Sequence, residues 1–180
     1  MMVRFSTFNP PVAFNQAITF GGWVKTVATS SGKSSIVWLG GSIDYAVNPH
    51  NYFGLSEQGG RARLDGYFET RPKIDGYFEG RKYFVTSDKL INDDQWHQVV
   101  AVIDARPYRH SMALYIDGDK EAEAFVPNPI PNIEKIRVGF RPSGGENFSG
   151  NIDDLFILSS AITSEQVNQI YNQGSSLVRP

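Results

Sequence analysis

The sequence predicts an all-β fold, a two-sheet antiparallel jelly-roll sandwich that carries one short C-terminal helix. Three observations support this fold class. Apolar and polar side chains alternate with a two-residue period through most of the chain, turn residues recur at intervals of about ten residues, and helical spacing begins only at Thr163. Short, evenly spaced strands are typical of sandwiches rather than of βαβ units. The 180 residues, 41% of them hydrophobic, suit a single domain over residues 1–180.

Individual strands follow from the alternation. The run from Trp96 to Ile103 is continuously apolar and β-branched, which predicts a central strand buried on both faces. Asp117 and Gly118 form a strong two-residue hairpin signal. Outside a duplicated central segment, the strand pattern covers residues 18–25, 35–39, 52–55, 96–103, 112–116, 121–126, 133–140 and 152–158.

One segment near the C-terminus has helical character. Thr163 is a good N-cap, and Gln166 stands three residues later, as a capping box requires. Val167, Ile170 and Tyr171 follow at helical spacing, and the glycine at position 174 can end the helix. We expect one apolar edge of this short helix to pack on the sandwich.

Composition and charge exclude several functional classes. A formal net charge of −2 provides no basic field for nucleic acid, and the absence of cysteine excludes disulfides and thiolate metal sites. No apolar run reaches the length of a membrane span, and Met1–Ser6 lacks the apolar region of a signal peptide. The localisation stays undetermined: an excised domain would be extracellular, and a virion component would lie on a virion surface.

The centre of the chain contains a duplication. Leu64–Arg71 and Ile74–Arg81 are nearly identical and lie ten residues apart, which predicts a β-hairpin that turns at Thr70–Lys73. Alternation assigns one face of this hairpin to the core. The opposite face carries tyrosines among charges of both signs, namely Arg61, Arg63, Tyr67, Tyr77 and Arg81.

That charged face has three interpretations. Tyrosine can lie flat on a sugar ring, and arginine can donate to a carboxylate or sulfate, so the face could bind an acidic glycan. Alternating charge is also the normal pattern of a solvated antiparallel strand. Contact with another protein chain is the third interpretation, since Tyr and Arg are enriched in such interfaces.

Four segments resemble a known family. They are Ile18–Lys25 (ITFGGWVK), residues 94–102 (DQWHQVVAV), residues 114–118 (LYIDG), and Phe148 to Leu155 (FSGNIDDL) followed by AITSEQV. Together and in this order they are similar to the laminin-G-like and pentraxin-like jelly rolls of the concanavalin-A-like lectin/glucanase superfamily. The resemblance implies the sandwich fold across most of the chain. It implies little about function, because this fold serves many unrelated roles.

The resemblance also raises the question of calcium. Members of this superfamily often open with an Asp-containing strand that helps to hold the ion, whereas residues 3–16 contain no acid. Calcium is therefore an open expectation, with Asp153 as its leading ligand and a turn or strand-end hydrogen bond as the alternative role of that side chain. Further candidate ligands are Asp44, Glu146, Asn48, Asn147 and Asn151.

No motif indicates catalysis. Glycoside hydrolysis needs two carboxylates about 5–9.5 Å apart. The glucanases of the superfamily carry them in a Glu-x-Asp-x-Glu pattern, which is missing here, and the adjacent Asp153 and Asp154 would point to opposite faces of a regular strand. His50, His97 and His110 have no partner at informative spacing. We therefore expect no enzymatic activity.

The leading interpretation is non-catalytic recognition, with a glycan as the ligand. The hairpin face would bind it together with the loop residues Tyr45, Asn51 and Tyr52. The alternative is a structural or assembly protein, such as a capsid-decorating or tail-associated virion component, that forms a homo-oligomer or coats a particle. A polysaccharide lyase or hydrolase is the third interpretation. Neither nucleic acid nor a membrane is an expected partner.

Overall fold

A computed structural model describes residues 16–29, 31–40, 52–72, 78–125, 133, 135–140 and 147–175, and of 68–72, 78–81 and 175 it describes the backbone alone. Ten strands and one helix lie within these ranges. The strands are β1 Ala17–Lys25, β2 Ser34–Gly40, β3 Tyr52–Gln58, β4 Arg61–Pro72, β5 Phe78–Leu90, β6 His97–Asp104, β7 Ser111–Ile116, β8 Asp119–Phe125, β9 Lys135–Val138 and β10 Asn151–Leu158, and the helix is α1 Ser164–Ser175.

The strands form two five-stranded antiparallel sheets, which confirms the predicted sandwich. The first sheet has the order β10-β1-β6-β7-β8 and the second the order β5-β4-β3-β2-β9. The inward faces of both sheets meet in one apolar core. Its largest fully buried side chains are Phe20, Phe53, Ile18, Ile36, Leu39, Leu55, Leu64, Ile91, Ile103, Met112, Leu114 and Ile116. The two-residue alternation of the sequence therefore builds the interior as expected.

Strand β6 is the centre of the first sheet. All eight of its residues are buried, and it lies between β1 and β7, so the continuous apolar run was interpreted correctly. The predicted hairpin is also confirmed. Asp117 and Gly118 have φ angles of 53° and 86°, the left-handed pair that a tight two-residue turn requires.

Helix α1 begins as predicted and covers the first sheet from outside. The backbone N–H of Thr163 donates to Gln166 Oε1 at 2.9 Å, and the N–H of Gln166 donates to Thr163 Oγ1 at 3.3 Å, which completes the capping box. Val167 is fully buried against outward-facing residues of the first sheet, among them Val100 and Tyr115. The helix runs to Ser175, so the glycine proposed as its end lies inside its last turn.

The central hairpin turns later than predicted. Thr70 and Pro72 belong to β4, and Pro72 pairs with Phe78, so the connection spans residues 73–77, which lie outside the described residues. Tyr67 is the last β4 residue paired to β3, and β5 is the neighbour paired to the rest of the strand. Pro72 therefore sits where one edge of β4 needs no ladder hydrogen bond, which is where a sheet tolerates proline.

The outer faces of the two sheets differ. Helix α1 lies over the first sheet, whereas no described helix covers the second. In the described residues, no helix is long and apolar enough to cross a membrane. The outer face of the second sheet carries polar and aromatic side chains, several of which are buried, among them Trp38, Asp65 and Arg137.

Candidate functional site

The strand register sorts the outer face of the second sheet into rows, because residues directly opposite each other on paired strands share a face. One row runs through Arg137, Trp38, Gly54, Asp65 and Phe84. The neighbouring row runs through Lys135, Gly40, Tyr52, Tyr67 and Lys82. Five strands thus bring together residues that lie up to about a hundred positions apart in the sequence.

Four side chains from these rows form a stack across β9, β2, β3 and β4, which we call the aromatic ladder. The guanidinium carbon of Arg137 lies 4.9 Å from the centre of the Trp38 ring. The ring centres of Trp38 and Tyr52 are 6.0 Å apart, and those of Tyr52 and Tyr67 are 5.7 Å apart with planes inclined by 24°. These are attractive cation–π and offset-stacking distances.

A glycine allows Trp38 to lie flat on the sheet. A Cβ atom added to Gly40 would come within 2.3–2.4 Å of the Trp38 ring, so the indole occupies the space that a side chain at position 40 would need. The ring consequently leans along β2 toward the tyrosine row. At Gly54 there is room for a methyl group, since an added Cβ would make ordinary contacts at 3.8–4.0 Å with Val37, Trp38 and Tyr52.

A shallow depression lies at this position; its enclosed volume is about 10 Å³, room for about one water molecule, and it opens to solvent. The edges of Trp38 and Tyr52 form its aromatic side. The other described residues that line it are Lys33, Ser35, Gly54, Leu55, Ser56 and Asp65. It is therefore aromatic on one side and polar on the other, which is a common composition for sites that bind small polar ligands.

Asp65 is the electrostatic centre of the polar side. Its carboxylate lies 2.9 Å from Lys33 Nζ through Oδ2 and accepts from Arg63 Nε at 2.9 Å through Oδ1. Asp65 is buried, so these charge-assisted contacts are poorly screened by solvent. The Arg63 guanidinium also lies 3.8 Å from the centre of the Phe84 ring. Arg63 is thereby held between an acid and an aromatic ring.

Three buried polar atoms of this region have no hydrogen-bond partner among the described residues. They are Trp38 Nε1, Ser56 Oγ and Arg137 Nη1. Arg137 is 7% exposed, and burial lowers the pKa of its guanidinium below its ordinary value. Most buried polar groups in proteins are paired, so three unpaired atoms in one area are consistent with a surface that a ligand completes.

The structure brings together part of the predicted ligand face. Tyr52 and Tyr67 are direct cross-strand neighbours and stack, and Arg63 adjoins the depression through Asp65. Arg61 lies apart, because its Nη1 donates to the backbone carbonyls of Ser87 and Asp88 on β5. Along a strand, the six positions from Arg61 to Tyr67 span about 20 Å.

The remaining predicted residues fall elsewhere. Strict alternation assigned Arg81 to the face of Tyr67, but the register pairs Arg81 with Phe68 and places Lys82 opposite Tyr67. The position was wrong because the register between β4 and β5 shifts between Glu69 and Arg71, so residues beyond this irregularity change faces relative to strict alternation. Three further predicted residues, Tyr45, Asn51 and Tyr77, lie outside the described residues, so their roles stay predictions.

Sequence reasoning missed the residues that organise the site. Trp38 lies between the core residues Val37 and Leu39, and Arg137 follows the core residue Ile136, so alternation alone could have assigned both to the outer face. Their contact could not be predicted, because it depends on β9 pairing with β2 across about a hundred residues. The role of Gly40 becomes visible only once the Trp38 ring is placed.

Asp153 occupies an irregular part of β10. Its Oδ1 accepts the backbone N–H of Asp154 at 2.9 Å, and Asp154 has a φ of 46° where the register between β1 and β10 shifts. This contact is of the local type that was the alternative to calcium binding. Among the described residues, no three or more His, Asp or Glu side chains gather into a potential metal site. Calcium binding by Asp153 stays a prediction.

A second cluster of charges lies at the hairpin of β7 and β8. His97 Nδ1 lies 2.8 Å from Asp117 Oδ2, and His97 Nε2 lies 3.0 Å from Asp93 Oδ1. Lys89 Nζ donates to the same oxygen of Asp117. The hydrogen bond to Asp117, with a further contribution from Asp93, raises the pKa of His97 above its ordinary value. The sequence analysis did not predict the two acidic partners of His97.

The fold is similar to several solved structures of low sequence identity. The mouse laminin alpha1 chain (domains LG4-5) superposes with a TM-score of 0.58 at 14% identity, covering 89% of this chain and 40% of that one. The receptor binding domain of botulinum neurotoxin D gives 0.63 at 13% identity over 97% and 42%. A Ruminococcus gnavus sialidase module, CBM40, bound to alpha2,3 sialyllactose, gives 0.60 at 13% identity over 87% and 83%.

Sequence comparison gives a family. A 96-residue stretch is 27% identical to adhesion G-protein coupled receptor V1 of Danio rerio, and it spans 49% of this chain and 1% of the receptor. The chain therefore corresponds to a small part of that relative. A laminin-G-type family model matches residues 3–168, nearly the whole chain. This protein belongs to the concanavalin A-like lectin/glucanases superfamily.

Proposed function

We propose that the protein is a non-catalytic glycan-binding module whose ligand lies across the aromatic ladder and the depression beside it. The observation that carries this proposal is the proximity of the tilted Trp38–Tyr52 pair to one depression and to two buried polar atoms, Trp38 Nε1 and Ser56 Oγ, that lack a partner among the described residues. A sugar offers both surfaces that such a site needs. Its C–H face packs on aromatic rings, and its hydroxyls both donate and accept hydrogen bonds.

The polar side of the depression matches hydroxyl chemistry in detail. Trp38 Nε1 can only donate, whereas Ser56 Oγ can donate and accept. The Asp65 carboxylate accepts hydrogen bonds, and its contacts with Lys33 and Arg63 fix it in place. Neighbouring hydroxyls on a sugar ring can satisfy such a mixed set, since each hydroxyl serves as donor and acceptor.

The acids argue against catalysis at this site. Asp65 is the carboxylate among the described residues that line the depression, and it is engaged by two cations. Hydrolysis of a glycosidic bond requires a second carboxylate across the bond. The arrangement therefore supports recognition without bond cleavage.

The structural neighbours support the same class of function. The names of two of them refer to binding, of a receptor by the neurotoxin domain and of sialyllactose by the sialidase module. Identities of 13% extend only the fold to this chain, so these neighbours add support while the site geometry carries the proposal.

The experiment is a glycan array that contains neutral and acidic oligosaccharides, followed by titration calorimetry with the bound glycans. We expect Tyr67→Ala and Gly54→Ala to weaken binding by about tenfold or more, since stacking on an aromatic ring and access to the floor of the depression are lost. An added Cβ at Gly54 makes only ordinary contacts, so the fold tolerates this change.

Tyr108 provides the matched control, because it is a fully exposed tyrosine outside the second sheet. Tyr108→Ala should bind the array glycans as the wild type does. Absence of binding to every glycan, or equal affinity of the Tyr67→Ala protein and the wild type, would remove the proposal.

A protein partner is the second candidate, favoured by exposed apolar side chains on the edge strand β5. Phe84 is 54% exposed and Leu90 is 51% exposed. Phe84 shares a row with Asp65, so a partner chain could cover both the strand edge and the depression. Sedimentation analysis of the wild type and of Phe84→Ser tests it: a concentration-dependent oligomer that the substitution dissolves would favour assembly over glycan binding.

A further inference from the structure

We infer that the ligand of this face is an acidic sugar whose carboxylate pairs with Arg137 at the end of the aromatic ladder. This inference rests on the proposed function and adds the chemical class of the ligand. It depends on the burial of Arg137, on the absence of a counter-ion among the described residues, and on the charges around it.

Arg137 is a buried cation, and burying a charge costs free energy. Arg137 is only 7% exposed, and its Nη1 has no hydrogen-bond partner in the described part of the chain. A guanidinium stays protonated in proteins, so it remains a cation under burial. Buried cations are ordinarily paired with an acid, because desolvation is otherwise not offset.

The described contacts of the Arg137 guanidinium are aromatic rings. Its guanidinium lies over the rings of Trp38 at 4.9 Å and Phe140 at 5.9 Å. Aromatic rings attract a cation but do not replace the hydrogen bonds that its N–H groups lose on leaving water. No ion pair joins Arg137 to a described acid. An oxygen anion would supply the missing acceptor.

Cationic side chains outnumber carboxylates in the described rows on the outer face of the second sheet. The two rows contain the cationic residues Lys82, Lys135 and Arg137, and Asp65 is the carboxylate in them. Arg63 lies in the adjacent row, opposite Ser56. Asp65 already contacts Lys33 and Arg63. The described charges therefore leave an excess of positive charge around the ladder, which favours a negatively charged ligand and disfavours a second cation.

The position of Arg137 at the end of the aromatic ladder indicates the class of anion. Arg137 stacks on Trp38, the first aromatic ring of the ladder, so the group it recognises is attached to something that continues across Trp38 and Tyr52. A carboxylate carried on a sugar ring meets this requirement, since the ring follows the aromatic surface while the carboxylate faces the guanidinium. A free small anion would use Arg137 alone and leave the ladder and the depression without a role.

The test compares acidic sugars with their uncharged derivatives. The probes are tri-galacturonate and sialyllactose, each beside its methyl ester, titrated by calorimetry into the wild type and into Arg137→Gln at the same low ionic strength. We expect the wild type to bind at least one acid about tenfold more tightly than its ester, the difference that a charge-assisted hydrogen bond supplies. Arg137→Gln should bind the acid and the ester with equal, weak affinity.

A structural role of Arg137 gives a different result. Because its charge lacks a described counter-ion, Arg137→Gln should change the unfolding temperature by less than about 3 °C. A larger decrease would show that Arg137 holds the fold together and would overturn the inference. Arg137→Lys keeps the charge and loses the planar guanidinium, so it should retain part of the preference for the acid.

The outcomes separate the two proposals. Equal affinity for acid and ester in the wild type, a preference that survives in Arg137→Gln, or binding of neutral glycans only would each overturn the inference while glycan binding stands. Binding of no glycan at all would overturn the proposed function and the inference with it.

Discussion

At the scale of single residues, Gly40 controls the site more than any charged residue. The Trp38 indole covers it and takes its place in the ladder only because position 40 has no side chain. Arg137 and Tyr52 then flank the indole from neighbouring strands. A residue without a functional group therefore decides where the aromatic surface lies.

Gly40→Ala should displace the Trp38 ring. The new Cβ would stand 2.3–2.4 Å from ring atoms that are held between two stacked neighbours, so the ring must move or the strand must shift. We expect a loss of about 1–3 kcal/mol in the free energy of unfolding, as for other overpacked sites. Near-ultraviolet circular dichroism reports the ring and urea titration reports stability. Gly54→Ala is the control, and an unchanged spectrum for Gly40→Ala would contradict the account.

His97 makes a second prediction at this scale, on pH. The hydrogen bond to Asp117 raises the pKa of His97 above 6.5, its ordinary value in an unfolded chain. The stabilisation is therefore fully present below about pH 6.5 and disappears as the pH rises through the folded pKa. Burial alone would raise the pKa of Asp117, but hydrogen bonds from His97 and Lys89 leave it lowered, so Asp117 stays ionised throughout this range.

Asp117→Asn isolates the charge from the turn. Asparagine tolerates the left-handed φ of 53° at this position, so the hairpin should persist while the attraction to His97 is lost. Nuclear magnetic resonance titration should show a lower His97 pKa than in the wild type. Urea unfolding should lose the decline in stability that the wild type shows as the pH rises above about 6.5. Identical His97 titration curves in both proteins would refute this assignment.

At the scale of elements, alternation and local turn chemistry predicted most of the secondary structure, and pairing geometry explains the failures. The capping box at Thr163 and the Asp117–Gly118 hairpin are local signals, and both are confirmed. The central hairpin was shifted, because two equal copies suggest a symmetric pairing that the chain does not adopt. A register irregularity between Glu69 and Arg71 places Lys82 instead of Arg81 on the ladder face.

The start of α1 gives the prediction at this scale. Thr163→Ala removes the hydroxyl that accepts the N–H of Gln166 at 3.3 Å, which leaves one helix donor without its cap. We expect a loss of about 1 kcal/mol, or roughly 2–4 °C in unfolding temperature. Thr163→Ser keeps the hydroxyl and should behave as the wild type. Calorimetry that shows no difference between Thr163→Ala and Thr163→Ser would contradict the role of the cap.

At the scale of the whole molecule, the hydroxyls of Thr19 and Thr26 form hydrogen bonds with the backbone on both sides of β10. Thr19 Oγ1 donates to the carbonyl of Ser160 at 2.7 Å and accepts the N–H of Ile162 at 3.3 Å. Thr26 Oγ1 donates to the carbonyl of Ser149 at 2.6 Å. These bonds fix the segments before and after β10 against β1 and so close the first sheet. No local sequence pattern predicts these hydrogen bonds, because each joins residues more than a hundred positions apart.

Thr19→Val tests this closure. Valine has the shape of threonine, and the fully buried site would keep its packing while the Ser160 carbonyl and the Ile162 N–H lose their partner. We expect the free energy of unfolding to fall by about 1–3 kcal/mol, the cost of unsatisfied buried polar groups. Thr19→Ser restores the hydroxyl and should recover most of the loss in urea titration. Equal stability of the valine and serine variants would show that the bonds do not matter.

The indole resonance of Trp38 provides the most direct test of the ligand face. The chain has three tryptophans, and Trp23 stacks on Tyr171 of α1 at 5.6 Å, on the far side of the sandwich. During titration with the bound glycan, the Trp38 indole N–H signal should shift saturably, because Nε1 gains the partner it lacks. The Trp23 and Trp96 signals should stay in place. A static Trp38 signal, or a saturable shift of Trp23 instead, would contradict binding at the aromatic ladder.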